Sequence, residues 1–136
     1  MKYIKHLIRK YPISCFLIVL IWVACLIPVP ETPLIHVTFF DKWVHIAMYL
    51  CLGAAIWTEY IRQHHLNGQE PKFSWRKILT WGWLFPVLMS GVIELAQAYC
   101  TGGTRSGDWL DFLANSTGAT LMLGVGTLWV WYHAKG

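Results

Sequence analysis

The sequence predicts an all-α integral membrane protein, a bundle of four transmembrane helices with both termini in the cytoplasm. Three observations predict it. The 136-residue chain is 56% hydrophobic and only 13% charged, and it carries nine Trp. Its apolar residues gather into four long runs separated by polar stretches. Its cations divide unequally between the two sides that those runs define. The length admits one domain, residues 1–136, with no internal repeat and no low-complexity segment.

The first apolar run, Ile13–Ile27, follows a basic stretch, Met1–Tyr11, that holds Lys2, Lys5, Arg9 and Lys10. That layout resembles a signal peptide. Pro28, Pro30 and Pro33 come next, without an A-x-A cleavage site, and Val23-Ala24-Cys25 echoes a lipoprotein site only weakly because Trp22 stands where Leu is usual. An uncleaved helix over 12–27 is expected. Its 15 residues reach only about 22 Å, so the helix is expected to borrow a turn from the Tyr11 side. Pro12 suits its first turn, where a missing N–H does no harm. Three further helices are expected over 43–61, 78–99 and 109–132, each long enough to cross the hydrocarbon. Pro86 predicts a kink in the third.

With the N-terminus inside, Lys2, Lys5, Arg9, Lys10, Arg62, Lys72, Arg76, Lys77 and Lys135 fall on the inner side, and only Lys42 and Arg105 fall outside. Trp43 and Trp109 are expected to mark the outer interface. Trp57, Trp75, Trp81, Trp83, Trp129 and Trp131 are expected to mark the inner one. The net charge of +4 is not read as a nucleic-acid signal, because the basic residues flank apolar spans and act as topology determinants. Cys15, Cys25, Cys51 and Cys100 show no CxxC or metal-ligand spacing, and no disulfide framework is expected.

The polar residues carry the functional information. Lys42, His45 and Tyr49 recur at i, i+3, i+7 at the start of the second helix, with Asp41 one turn before His45. Glu94 and Gln97 lie one turn apart near the end of the third. Asp108, Asp111 and Asn115 repeat the i, i+3, i+7 pattern at the start of the fourth, after the glycine-rich stretch 101–107 that includes Arg105. The topology brings these groups to one leaflet, the outer one. Ionisable groups inside a membrane cost about 2.5–3.5 kcal/mol each at a helix centre on the insertion scale, so their concentration marks a site.

The pattern Asp41-Lys42-x-x-His45-x-x-x-Tyr49-x-x-Leu52-Gly53, then Glu94-x-x-Gln97, then Arg105-x-x-Asp108-x-x-Asp111-x-x-x-Asn115-x-x-Gly118 resembles the VanZ-like family. The resemblance covers residues 41–118 and leaves the first helix and both tails without a motif. It implies a small membrane protein of the bacterial cell envelope, in the cytoplasmic membrane, and a family whose founding member is associated with low-level resistance to teicoplanin.

Two functional readings stay open. In the first, the pocket recognises a phosphorylated envelope lipid: Arg105 and Lys42 hold the phosphate, while Asp41, Gln97, Asp108 and Asn115 complete the binding surface. The glycine-rich stretch before the fourth helix would add backbone N–H groups to an anion site. In the second, the chain is a membrane-embedded hydrolase or transferase acting on a lipid-linked substrate, with Glu94, His45 and Asp111 as acid/base groups and Arg105 stabilising developing negative charge. Glu94, set among apolar neighbours, is expected either to pair with Arg105, Lys42 or His45 or, unpaired and desolvated, to hold its proton toward neutral pH.

Simpler roles compete. Asp41 and Asp108 suit helix N-caps, and Asn115 suits interhelical hydrogen bonding. His45, Glu94, Asp108 and Asp111 are ligand types for Zn or Mn, but they lack HExxH-like spacing, so no metal and no cofactor is assigned. Ser116, Thr120 and Gly124 read as a close-packing stripe. A transport path is disfavoured because, among the inner halves of the helices, only Glu59 interrupts the apolar sequence.

Overall fold

The computed structural model describes residues 1–28, 40–66, 74–103 and 107–134. Helix makes up 91% of them, with no strand among the described residues. The chain opens with α1 (Lys2–Lys10) and α2 (Pro12–Leu26), continues with α3 (Phe40–Leu66), and then runs through α4 (Trp75–Leu79), a π-helical turn (Thr80–Leu84) and α5 (Phe85–Cys100). It closes with α6 (Trp109–Ala134).

Proline explains two of these boundaries. The ring of Pro12 disfavours helical geometry for the residue before it, and Tyr11 adopts φ −129°, ψ 60°. The basic stretch is therefore a separate helix set at 102° to α2, and α2 starts at Pro12 without borrowing the expected turn. In the third span, the Pro86 ring opposes the carbonyl one turn earlier and supplies no N–H. The wider π turn just before it re-routes the backbone, so Trp75–Cys100 continues as one helical span.

The N-terminus of α2 has no cap of its own. Glu59 of α3 provides one, 45 residues further along the chain. Its carboxylate accepts the N–H groups of Ile13 (2.8 Å) and Ser14 (3.1 Å) and the Ser14 hydroxyl (2.6 Å). Glu59 is 1% exposed. Its negative charge satisfies orphan donors at the positive end of a helix, which is why it is tolerated there.

α3 packs chiefly on α6, and glycine sets the approach. A Cβ on Gly118 would meet the Ile46 carbonyl oxygen at 2.5 Å, and one on Gly126 would meet the Trp57 ring at 2.5 Å. Gly124 faces open space, so the close-packing stripe is Gly118 and Gly126 rather than Ser116, Thr120 and Gly124. Trp57 is consequently buried in the core and marks no interface. The core joins Ile21 and Cys25 of α2, Tyr49, Leu52 and Ile56 of α3, Ile78 of α4, and Met89 and Ile93 of α5.

Around that core the surface stays apolar: Phe16, Val19 and Val23 on α2, Leu88, Val92 and Leu95 on α5, and Leu121, Val125 and Leu128 on α6 are all exposed. Phe40–Gln63 and Trp75–Cys100 are each long and apolar enough to cross a membrane, and the bent pair α1–α2 makes a third if counted as one span. α6 has the length, with 26 residues. Its Asn115, Ser116, Thr117, Gly118 and Thr120 dilute its hydropathy below theirs. Such a surface suits association with a membrane.

Candidate functional site: a carboxylate-rich centre where four helix ends meet

The end of α2, the start of α3, the end of α5 and the start of α6 converge. The Gln97 amide donates to the Cys25 carbonyl of α2 (2.8 Å), and the remaining contacts join α3, α5 and α6. Lys42 occupies the middle. Its Nζ donates to Asp108 (3.0 Å) and Asp41 (3.3 Å), and also to Asp111. Three carboxylates thus surround one ammonium group, and the Lys42 side chain is only 20% exposed.

His45 lies beneath them, almost completely buried. Its Nδ1 is 2.9 Å from the Asn115 amide oxygen, and the Asn115 NH₂ donates to the Ser90 hydroxyl at 2.9 Å. An amide oxygen can only accept, so Nδ1 carries the hydrogen in this network. In the neutral ring the Nε2 lone pair is then left facing Asp41 (3.6 Å) and Asp111 (3.7 Å). Asn115 and Ser90 fix the tautomer, as a partner behind a ligating or catalytic imidazole does.

Glu94 belongs to a second, adjoining feature. One oxygen accepts the Asp108 N–H at 3.0 Å. The other is buried with no hydrogen-bond partner among the described residues. Neither Lys42 nor His45 forms an ion pair with it among the described residues, so the expected charge partner on α3 is replaced by a backbone amide. Glu94 lines a cavity of about 590 Å³ between α5 and α6, whose walls include Leu88, Val92, Leu95 and Phe112. Gly107 seats the loop on α5, since a Cβ there would lie 2.5 Å from the Glu94 carbonyl oxygen.

The start of α6 is already supplied with acceptors. Asp108 takes the Leu110 N–H at 2.9 Å, and Glu94 takes that of Asp108. Those two amides at the start of α6 are therefore taken by the protein's own carboxylates, while residues 104–106 of the expected anion-binding stretch lie outside the described residues. The Leu110 amide, followed by the Lys42 hydrogen bond, holds the Asp108 carboxyl below the ordinary aspartate range.

The structure thus joins Asp41, Lys42, His45, Asp108, Asp111 and Asn115 in one cluster and sets Glu94 beside it. Gln97 serves the α2 contact instead, and Arg105 lies outside the described residues. Ser90 was not anticipated. It precedes Glu94 by four residues and so shares its helix face, a spacing visible in the sequence.

Ligand atoms of Asp41, His45 and Asp111 lie within 4.8 Å of one another. This trio differs from the four residues considered from ligand type alone. Lys42 already donates to both of these aspartates, so a divalent ion would compete with its ammonium group. Searches of the chain against protein-family models, curated proteins and solved structures return no match.

Proposed function

We propose that this chain is a VanZ-like membrane protein of the bacterial cell envelope, crossing the cytoplasmic membrane four times with both termini inside, and that its outer-leaflet pocket recognises a phosphorylated envelope lipid. The observation that carries the reading is Glu94, which lines an apolar cavity of about 590 Å³ and has one buried oxygen with no hydrogen-bond partner among the described residues. A buried acceptor without a partner is costly, about 1–3 kcal/mol, unless something donates to it. A lipid whose head offers an O–H or N–H would do so while its tail lies against Leu88, Val92 and Phe112. Lys42 is neutralised by three carboxylates and serves to organise them, which leaves the phosphate to Arg105. A link to glycopeptide resistance follows from the family resemblance alone.

Native mass spectrometry of the protein extracted with its own membrane lipids tests this. The wild type should retain a phosphorylated lipid. Arg105→Ala should lose it, and Glu94→Ala should retain roughly a tenth as much or less, the value of one charge-assisted hydrogen bond. Equal, unselective lipid in all three proteins would overturn the reading.

The buried Asp111–His45–Asn115–Ser90 chain favours a second reading, an enzyme acting on such a lipid with His45 as acid/base. Under that reading Glu94→Gln and His45→Gln bind the lipid and leave it unconverted. Function retained when both are neutralised would exclude it.

A further inference from the structure

At the opposite end of the molecule α1 sorts its side chains by chemistry. Tyr3, Ile4, Leu7 and Ile8 share one face, while Lys2, Lys5, His6, Arg9 and Lys10 share the other, with no acidic residue. None of the nine residues of α1 is buried, and Tyr3, Ile4, Leu7 and Ile8 of its apolar face are each half or more exposed. The 102° turn at Tyr11 sets α1 across the direction of α2. Gln63 donates to the Lys10 carbonyl at 2.9 Å, and Glu59 caps the adjoining turn, so α3 clamps the corner.

Behind the corner is a cavity of about 340 Å³. Lys10, Lys77, Tyr11 and Tyr60 line it together with apolar residues that include Ile18 and Phe85. Neither lysine forms an ion pair among the described residues. Arg62 and Arg76 are exposed at the same end. Glu59 is the one carboxylate there among the described residues, and α2 occupies it.

We propose that this corner binds an anionic phospholipid of the adjacent leaflet. Lys10 and Lys77 take the headgroup phosphate, the first part of an acyl chain lies against Ile18 and Phe85, and α1 rests in the headgroup layer with its apolar face toward the hydrocarbon. Charge complementarity selects this occupant. An uncovered helix with cations on one face and aliphatic and aromatic residues on the other is the form that lies in a membrane interface, and polybasic segments draw anionic lipid. The proposal is independent of the Glu94 pocket and requires only that α3 and α5 stand in a membrane.

The test titrates the full-length protein in detergent micelles with dioleoyl phosphatidylglycerol or dioleoyl phosphatidylcholine and counts bound lipid by native mass spectrometry. Phosphatidylglycerol should be preferred by tenfold or more, since each lysine near an anionic surface contributes roughly fivefold. Lys10→Gln/Lys77→Gln should reduce that preference to less than about twofold, with helical circular dichroism unchanged. Lys2→Gln/Lys5→Gln, outside the cavity, should retain most of it. Three results would overturn the proposal: equal binding of the two lipids by the wild type, full preference in the Lys10/Lys77 variant, or displacement of phosphatidylglycerol by millimolar inorganic phosphate. The last would assign the lysines to a soluble anion.

Discussion

At the scale of single residues, Lys42 decides what the polar centre can recognise. An ammonium group held by Asp41, Asp108 and Asp111 is a structural cation, and freeing it would leave three carboxylates to repel one another. Lys42→Met should therefore cost about 2 kcal/mol of stability, and adding Asp111→Asn should recover part of the loss; thermal unfolding followed by circular dichroism checks both. An unchanged midpoint in Lys42→Met would mean that the lysine is free for a ligand after all. Asp108 gives the pH dependence. Its folded value lies below the unfolded one, so its contribution is complete above the ordinary aspartate value, about 3.9, and is lost as pH falls through the folded value. The difference in unfolding midpoint between wild type and Asp108→Asn should hold constant from about pH 7 to 5 and narrow below about pH 4.

The i, i+3, i+7 spacing made the members of this centre legible in the sequence, because helical period alone puts Lys42 with His45, and Asp108 with Asp111 and Asn115, on common faces. Their pairing was not legible. Which carboxylates take Lys42, and that the Asp108 backbone amide rather than Lys42 or His45 meets Glu94, depend on how α3, α5 and α6 seat against one another.

At the scale of elements, that seating is set by glycine. Gly118 admits the Ile46 carbonyl, and Gly126 admits the Trp57 ring. Gly118→Ala would gain about 0.5–1 kcal/mol of helix propensity. It would also force α3 and α6 apart and should lose about 1–3 kcal/mol net. Gly124→Ala, facing open space, should be neutral or slightly stabilising. Parallel unfolding curves for the two variants check this, and a Gly118→Ala midpoint equal to that of Gly124→Ala would contradict it. The stripe of small residues on α6 was visible in the sequence, yet its register was not, since Ser116-x-x-x-Thr120-x-x-x-Gly124 and Gly118 with Gly126 lie on different faces of the same helix. Nor was the role of Glu59 legible: read along the chain it interrupts an apolar span, and only the folded molecule shows it capping a helix 45 residues away. The α1–α2 corner was half legible. Pro12 announced a helix start, but the basic stretch before it looked like a tail because its amphipathic pattern fills little more than two turns.

At the scale of the whole molecule, the chain has two chemically opposite ends joined by an apolar middle. One end concentrates Asp41, Glu94, Asp108 and Asp111, and the other concentrates the cations of α1, Arg62, Arg76 and Lys77. The all-helical class and the grouping of polar residues at one end were readable because hydropathy and charge distribution are properties of the sequence itself. The cavity between α5 and α6 was not, because a void belongs to packing. Lipid recognition requires that this cavity receive a lipid at Glu94. The most direct measurement is photo-crosslinking of the protein, in its native membrane, with a phospholipid bearing a diazirine in its acyl chain, followed by peptide mapping. Labels concentrated on the cavity walls, at Leu88, Val92 and Phe112, and lost from them in Glu94→Ala, are the expected result. Labels spread evenly over those residues and over Phe16, Val19 and Val23 of α2, unchanged by Glu94→Ala, would contradict it.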